Sequence, residues 1–191
     1  GQTYDLALNS STGKWEATIT APGKTSYNQA GGYYNVSVVA TNEAGTSGSA
    51  DATTIDGLKL VVKETVAPVI TIVSPTNGAY VTNSKQPVVF TVVDEAGGSG
   101  VNISSLVVKL DGKAVDAATL TSTAITNGYS VTYTPAAALA DGAHTVTIDC
   151  KDNDGNAATQ KSTSYTIDTV PPTLNVTSPA EGLVTATSSV T

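Results

Sequence analysis

Glu64-Thr65-Val66-Ala67-Pro68 and Asp168-Thr169-Val170-Pro171-Pro172 stand 104 positions apart and open two near-copies, ITIVSPTNG (70–78) and LNVTSPAEG (174–182). Pro68, Ser74, Pro75 and Gly78 meet identical residues at that offset. A second pair of stretches, GGYYNVSVVATNEAGT (31–46) and DGAHTVTIDCKDNDGN (141–156), is offset by 110, with Gly32 on Gly142, Val36 on Val146, Ala40 on Cys150 and Gly45 on Gly155. The difference between the two offsets places an insertion of six residues in the first copy, around 47–56. A period of about one hundred residues is the size of one small domain, so the chain reads as a tandem array. Each copy must then enclose a core of its own.

The secondary structure of a copy is clearest over 141–179. Val146, Ile148 and Cys150 alternate with Thr145, Thr147, Asp149 and Lys151, which puts one face of a strand in a core and the other in water. Asp152-Asn153-Asp154-Gly155-Asn156 tolerates positive φ and turns the chain back into a return strand ending in Tyr165 and Ile167. Pro171 and Pro172 lack amide hydrogens, so a sheet stops there and a stiff linker begins. Elsewhere Ile70–Ile72, Tyr80–Thr82, Val88–Val93, Leu106–Leu110 and Tyr129–Tyr133 read as strands, with Asp111-Gly112 as a two-residue hairpin turn. Thr- and Val-rich short strands, and no sustained helical stripe, argue for an all-β sandwich.

The domain plan follows. Residues 1–66 form a first unit, short or incomplete, with a hairpin from Tyr4–Leu8 into Trp15–Thr20 and strands at Tyr34–Thr41 and Leu58–Lys63. Residues 67–169 form a complete sandwich, and 170–191 the opening strands of a further repeat. Segment 174–191 is a candidate for strand addition to the first unit of a neighbouring molecule. The chain has no methionine and begins at Gly1, so it is expected to be a piece of a longer product, with Gly1 left by tag removal.

Composition removes several functions. The net charge is −7, the wrong sign for a nucleic-acid surface. No apolar run reaches the ~20 residues of a membrane span. Cys150, the one cysteine, excludes an internal disulfide and faces inward, where a thiol acts as a small inert hydrophobe. With one histidine, sites built from several imidazoles are excluded, and nothing resembles a nucleophile elbow before a helix. Carboxylates scatter through turns, so no enzyme is expected.

Tyr133-Thr134-Pro135, Leu139 to Val146 (LADGAHTV), Asp152–Asn156 and Asp168–Pro172 together resemble the bacterial immunoglobulin-like repeats. Those repeats occur in tandem in cell-surface, secreted and phage-tail proteins. The resemblance covers 68–191 well and 31–66 less well. It implies tandem immunoglobulin-like β-sandwiches of seven strands joined by a Pro-containing linker, located outside the cell or on its surface. Their implied role is that of non-catalytic spacers or adhesive modules. The implied partners are a host or cell-wall glycan or protein and the neighbouring repeats; the alternative is a binding accessory module of a secreted enzyme or phage tail. Tyr34 and His144 stand two residues before an inward Val, where such sandwiches place a corner tyrosine.

Two ligand classes fit residues of this sequence. Asp152, Asp154 and Asn156 cluster hard oxygen ligands suited to calcium, with Asp168 of the linker as a fourth. Asp94 and Glu95 join them if their loop lies at the same end. The plainer reading is a turn whose Asp and Asn satisfy local backbone groups. Tyr27 and Tyr33 form the exposed aromatic pair on which a glycan would stack, with Trp15 and Tyr34 expected in the core. No cofactor other than calcium is expected. Asn9, Asn35, Asn102 and Asn175 open Asn-x-Ser/Thr triplets that matter only on a eukaryotic secretory route. No spacing singles out a Lys–Asn or Lys–Asp pair for an isopeptide cross-link.

Overall fold

The computed structural model describes residues 1–177 together with Gly182, Val184 and Ala186. It is all-β. Fifteen strands are described: β1 (Ala7–Asn9), β2 (Lys14–Glu16), β3 (Tyr34–Asn35), β4 (Ser37–Thr41), β5 (Ser47–Asp51), β6 (Lys59–Leu60), β7 (Val69–Ser74), β8 (Ala79–Val81), β9 (Val88–Val93), β10 (Val101–Leu110), β11 (Lys113–Ala114), β12 (Leu120–Ile125), β13 (Gly128–Tyr133), β14 (Gly142–Asp152) and β15 (Lys161–Ile167).

From β7 onward the strands make two sheets. One has the order β11-β10-β14-β15-β8 and the other β12-β13-β9-β7. All pairings are antiparallel except β15 with β8. The period-two pattern gives the core directly: Val88, Phe90 and Val92 from one sheet face Val146, Ile148, Cys150, Tyr165 and Ile167 from the other, all buried. At about 25 cal/mol per Å² of apolar surface, this doubly covered layer is the main stabilising term. Cys150 is buried within it, and burial pushes its thiol pKa up. The Asp111-Gly112 turn forms as expected, with both residues at positive φ (48° and 80°) and Leu110 paired with Lys113.

At the start of β14, His144 stands where the resemblance places a corner tyrosine. His144 Nε2 lies 2.9 Å from the Ala140 carbonyl and Nδ1 lies 2.8 Å from Asp111 Oδ2. Tyr34, its counterpart at the sequence offset of 110, donates its hydroxyl to the carbonyls of Lys24 and Thr25, at 3.2 and 3.4 Å.

Residues 1–66 are built differently. Their strands form three separate two-stranded sheets, β1–β2, β3–β6 and β4–β5. Among the described residues of this region only Thr25, Ser26 and Ala52 are buried. Trp15, expected in the core, is 65% exposed, because among the described residues β2 pairs only with β1 and no further strand is paired to the hairpin. Tyr34 is half-buried rather than in a core. Of the strand-adding segment 174–191, Leu174 and Val176 are exposed; 178–191 lies outside the described residues except at Gly182, Val184 and Ala186.

Candidate functional site at the linker end of the sandwich

The register of the strands decides which carboxylates can meet. Val69 pairs with Val93, so the chain enters the sandwich beside the start of the 94–100 loop. At the same end, Val101 pairs with Asp152, which brings that loop against the turn after β14. Asn153 closes the contact: its backbone N–H donates to the Gly100 carbonyl at 3.0 Å, and its side-chain amide to the Ser99 and Gly100 carbonyls at 2.9 Å.

The turn is organised by Asp152, which is 1% exposed. Its Oδ1 accepts from the N–H groups of Gly155 (2.6 Å) and Asn156 (2.8 Å), and its Oδ2 from the Asn156 amide at 2.7 Å. Both oxygens are thus occupied by the turn itself, the local role expected of Asx residues. Asp154 faces outward to the N-terminal segment: its Oδ2 accepts from the Thr25 hydroxyl (2.5 Å) and the Glu64 N–H (3.1 Å). Asn156 donates to the Glu64 carbonyl at 3.2 Å. Asp168 does not join them. It follows Ile167, which pairs with Gly142 at the opposite end of β14. Ten residue steps at ~3.3 Å each put about 33 Å between the two ends.

The place expected for Asp168 is taken by Glu64. Its Oε1 accepts from the Ser99 N–H, while Asp94 Oδ2 accepts from the Gly100 N–H at 2.7 Å. Each carboxylate therefore fixes one oxygen on the 98–100 backbone. The other oxygens, Glu64 Oε2 and Asp94 Oδ1, are buried with no hydrogen-bond partner among the described residues, and so is Glu95 Oε2. One ligand oxygen from each of the three residues lies within 4.8 Å of the others. Gly98 makes room: a Cβ there would sit 2.6 Å from Glu95 Oε1 and 2.8 Å from Asp94 Oδ2. Burial, first, and then the charges of Glu64, Asp152 and Asp154 push the Asp94 carboxyl above its usual range, against the stabilising Gly100 N–H.

The linker is fixed by further contacts. Ser26 N–H donates to the Val62 carbonyl at 2.8 Å, and Ser26 Oγ accepts from the Val62 N–H at 3.1 Å. The Asn28 amide donates to the Gly98 carbonyl at 2.7 Å. The tyrosines lie apart from the carboxylates in role. Tyr27 is 50% exposed. Tyr33 is half-buried, with the Lys59 ammonium 5.2 Å from its ring centroid and its ring packed over Gly31. Sequence reasoning missed Glu64 as a partner of the turn, although its match to Asp168 at the repeat offset carried that information.

Among the described residues no helix is long and apolar enough to cross a membrane. A family model, the bacterial Ig-like domain, matches residues 75–169. No curated protein matches the chain. Similar solved structures include CopC from Methylosinus trichosporium OB3b (19% identity, TM-score 0.37, covering 53% of this chain and 93% of that one). The fibronectin(III)-like modules of Clostridium thermocellum CbhA share 20% identity at a TM-score of 0.38, covering 71% of this chain and 62% of theirs. Dimeric latent PorU from Porphyromonas gingivalis shares 18% at 0.45, covering 83% of this chain and 16% of that one. The chain spans less than two thirds of the length of the last two.

Proposed function

We propose, from the match of residues 75–169 to the bacterial Ig-like domain, that the chain is a non-catalytic spacer of an extracellular, surface-exposed bacterial protein. The observation that carries the reading is the path of the chain through the sandwich. It enters beside Val93 and the 152–156 turn and leaves at Ile167, beside Gly142 at the other end of β14. A domain threaded from end to end adds its full length to a tether, whereas one with both termini at the same end adds little.

Both ends are also tied down. At entry, Glu64 and Asp154 anchor the linker to the loop end; at exit, Asp141 accepts from the Thr169 N–H (3.1 Å) and hydroxyl (2.8 Å). Val170 and Pro171-Pro172 then continue as a segment with restricted φ. Tension along the chain would thus be applied to a folded unit from opposite ends.

Single-molecule stretching through the two termini tests this. One discrete unfolding step should release about 100 residues, which at ~3.5 Å each less the folded span lengthens the molecule by about 300 Å. Smooth extension with no step of that size would overturn the reading.

A further inference from the structure

We propose that Glu64, Asp94 and Glu95 form a binding site for a divalent, oxygen-seeking cation, calcium by its ligand chemistry, which locks the linker to the sandwich. This goes beyond the spacer reading and does not depend on it.

Three observations carry it. The first is the convergence of three carboxylates from two separate segments, the linker and the 94–100 loop, with ligand oxygens within 4.8 Å of one another. The second is the state of those oxygens. Asp94 is 4% exposed, and its Oδ1 is buried without a hydrogen-bond partner among the described residues, as are Glu64 Oε2 and Glu95 Oε2 on the two carboxylates that converge with it. Buried polar atoms in folded proteins are nearly always satisfied, so one orphaned oxygen on each of three converging carboxylates calls for a cation. The third is what holds them there. The Ser99 and Gly100 N–H groups grip the opposite oxygens of Glu64 and Asp94, which fixes the carboxylates in place before any ion arrives.

Protein cations do not fill the role. The described ion pairs, Lys59–Asp56 and His144–Asp111, lie elsewhere. Lys63 Nζ reaches only the Asp154 carbonyl, at 3.5 Å. Lys24 Nζ lies 4.0 Å from where a Cβ on Gly97 would stand and is in neither described ion pair. Asp152 and Asp154 add negative charge just behind the site, which raises its attraction for a cation.

The choice of metal follows from the ligands. The sole histidine is bound at the far corner and the sole cysteine is buried between the sheets, so no soft or imidazole ligand is in reach. With one oxygen each of Glu64 and Asp94 held by backbone N–H groups, the three carboxylates offer three or four free oxygens, with water and backbone carbonyls completing the six to eight that calcium takes. Magnesium, which keeps its waters and prefers one or two carboxylates in strict octahedral geometry, fits less well.

The test is thermal unfolding of the whole chain at neutral pH, followed by far-ultraviolet circular dichroism, in millimolar calcium and in excess chelator. Calcium should raise the midpoint by several degrees, and magnesium by less. Isothermal titration calorimetry should count one calcium per chain. In Asp94→Asn the calcium rise should vanish, while the midpoint in chelator should equal or exceed that of the wild type, since one of three crowded charges is gone. Glu95→Gln, at a half-buried position, should behave alike and serves if Asp94→Asn does not fold. No calcium rise in the wild type, or a rise that persists in both variants, overturns the proposal. Failure of the stretching experiment would leave these results untouched, so the two readings fail separately.

Discussion

Replacing His144 by alanine should remove a stabilisation that is present at acid pH and fades as the solution is made alkaline. Both ring nitrogens face acceptors, the Asp111 carboxylate at 2.8 Å and the Ala140 carbonyl at 2.9 Å. Only the imidazolium donates to both; the neutral ring must leave one lone pair facing another. The Ala140 carbonyl first, and then Asp111, therefore raise the His144 pKa above its ordinary 6.5. A group with a raised folded pKa contributes fully below its unfolded value and loses that contribution as pH rises through the folded one. Asp111 sets the acid limit. Burial pushes its carboxyl up, but the Thr145 N–H and His144 outweigh that and hold it below 3.8, so its share disappears as pH falls through that lowered value.

A charge-assisted hydrogen bond contributes about 1.5–3 kcal/mol. The Asp111 side chain is 47% exposed, so solvent screening reduces the titrating part to about 1 kcal/mol. In a domain of this size that is a midpoint shift of about 4–5 °C. Urea unfolding of wild type and His144→Ala across the range from mildly acidic to mildly alkaline, followed by circular dichroism, measures it, and subtraction removes the titrating groups that do not sense His144. Trp15 fluorescence will not serve, because the only tryptophan is exposed in the N-terminal hairpin. Because His144 is the only histidine, its ring proton signal gives the folded pKa without ambiguity. A flat difference profile, or a ring that titrates at or below 6.5, would refute the double-acceptor argument.

Two substitutions in the sandwich test its packing with opposite signs. Tyr165 is 1% exposed, its hydroxyl is buried without a partner, and burial first pushes its pKa up to about 12. Tyr165→Phe should leave stability unchanged or raise it by up to about 1 kcal/mol in urea unfolding, and a loss larger than that would mean the hydroxyl is bonded. Gly128→Ala should cost about 3 kcal/mol or more, since the new Cβ would stand 2.0 Å from the Val92 carbonyl oxygen and 2.8 Å from Val93 Cα, backbone atoms that cannot rotate away. A urea midpoint within ~1 kcal/mol of wild type would contradict that close approach.

Most of the sandwich was legible because its signals are local. Val88, Phe90 and Val92, or Val146, Ile148 and Cys150, declare a buried face by period two alone. Leu120–Ile125 was not legible: LTSTAI is largely exposed on the solvent side of an edge strand, so no apolar alternation marks it. The failure at Trp15 has a different cause. The largest side chain of a short hairpin is buried only if another layer covers it, and strand length and spacing in 1–66 carry no information about whether one does.

The carboxylates show how a correct motif can be joined to the wrong partner. The 152–156 turn and the linker acid are both readable, and Asp168 is near the turn in sequence. Adjacency in a hairpin, however, is set by register. With Gly142 on Ile167 and Val101 on Asp152, an eleven-residue strand separates Asp168 from the turn and leaves the turn facing the chain's point of entry. The acid that reaches it must come from the linker before the sandwich. Glu64 stands there, 104 positions ahead of Asp168 and matched to it by the repeat. Glu64 therefore serves the sandwich that follows it, through the hydrogen bond its Oε1 accepts from the Ser99 N–H and through its convergence with Asp94 and Glu95.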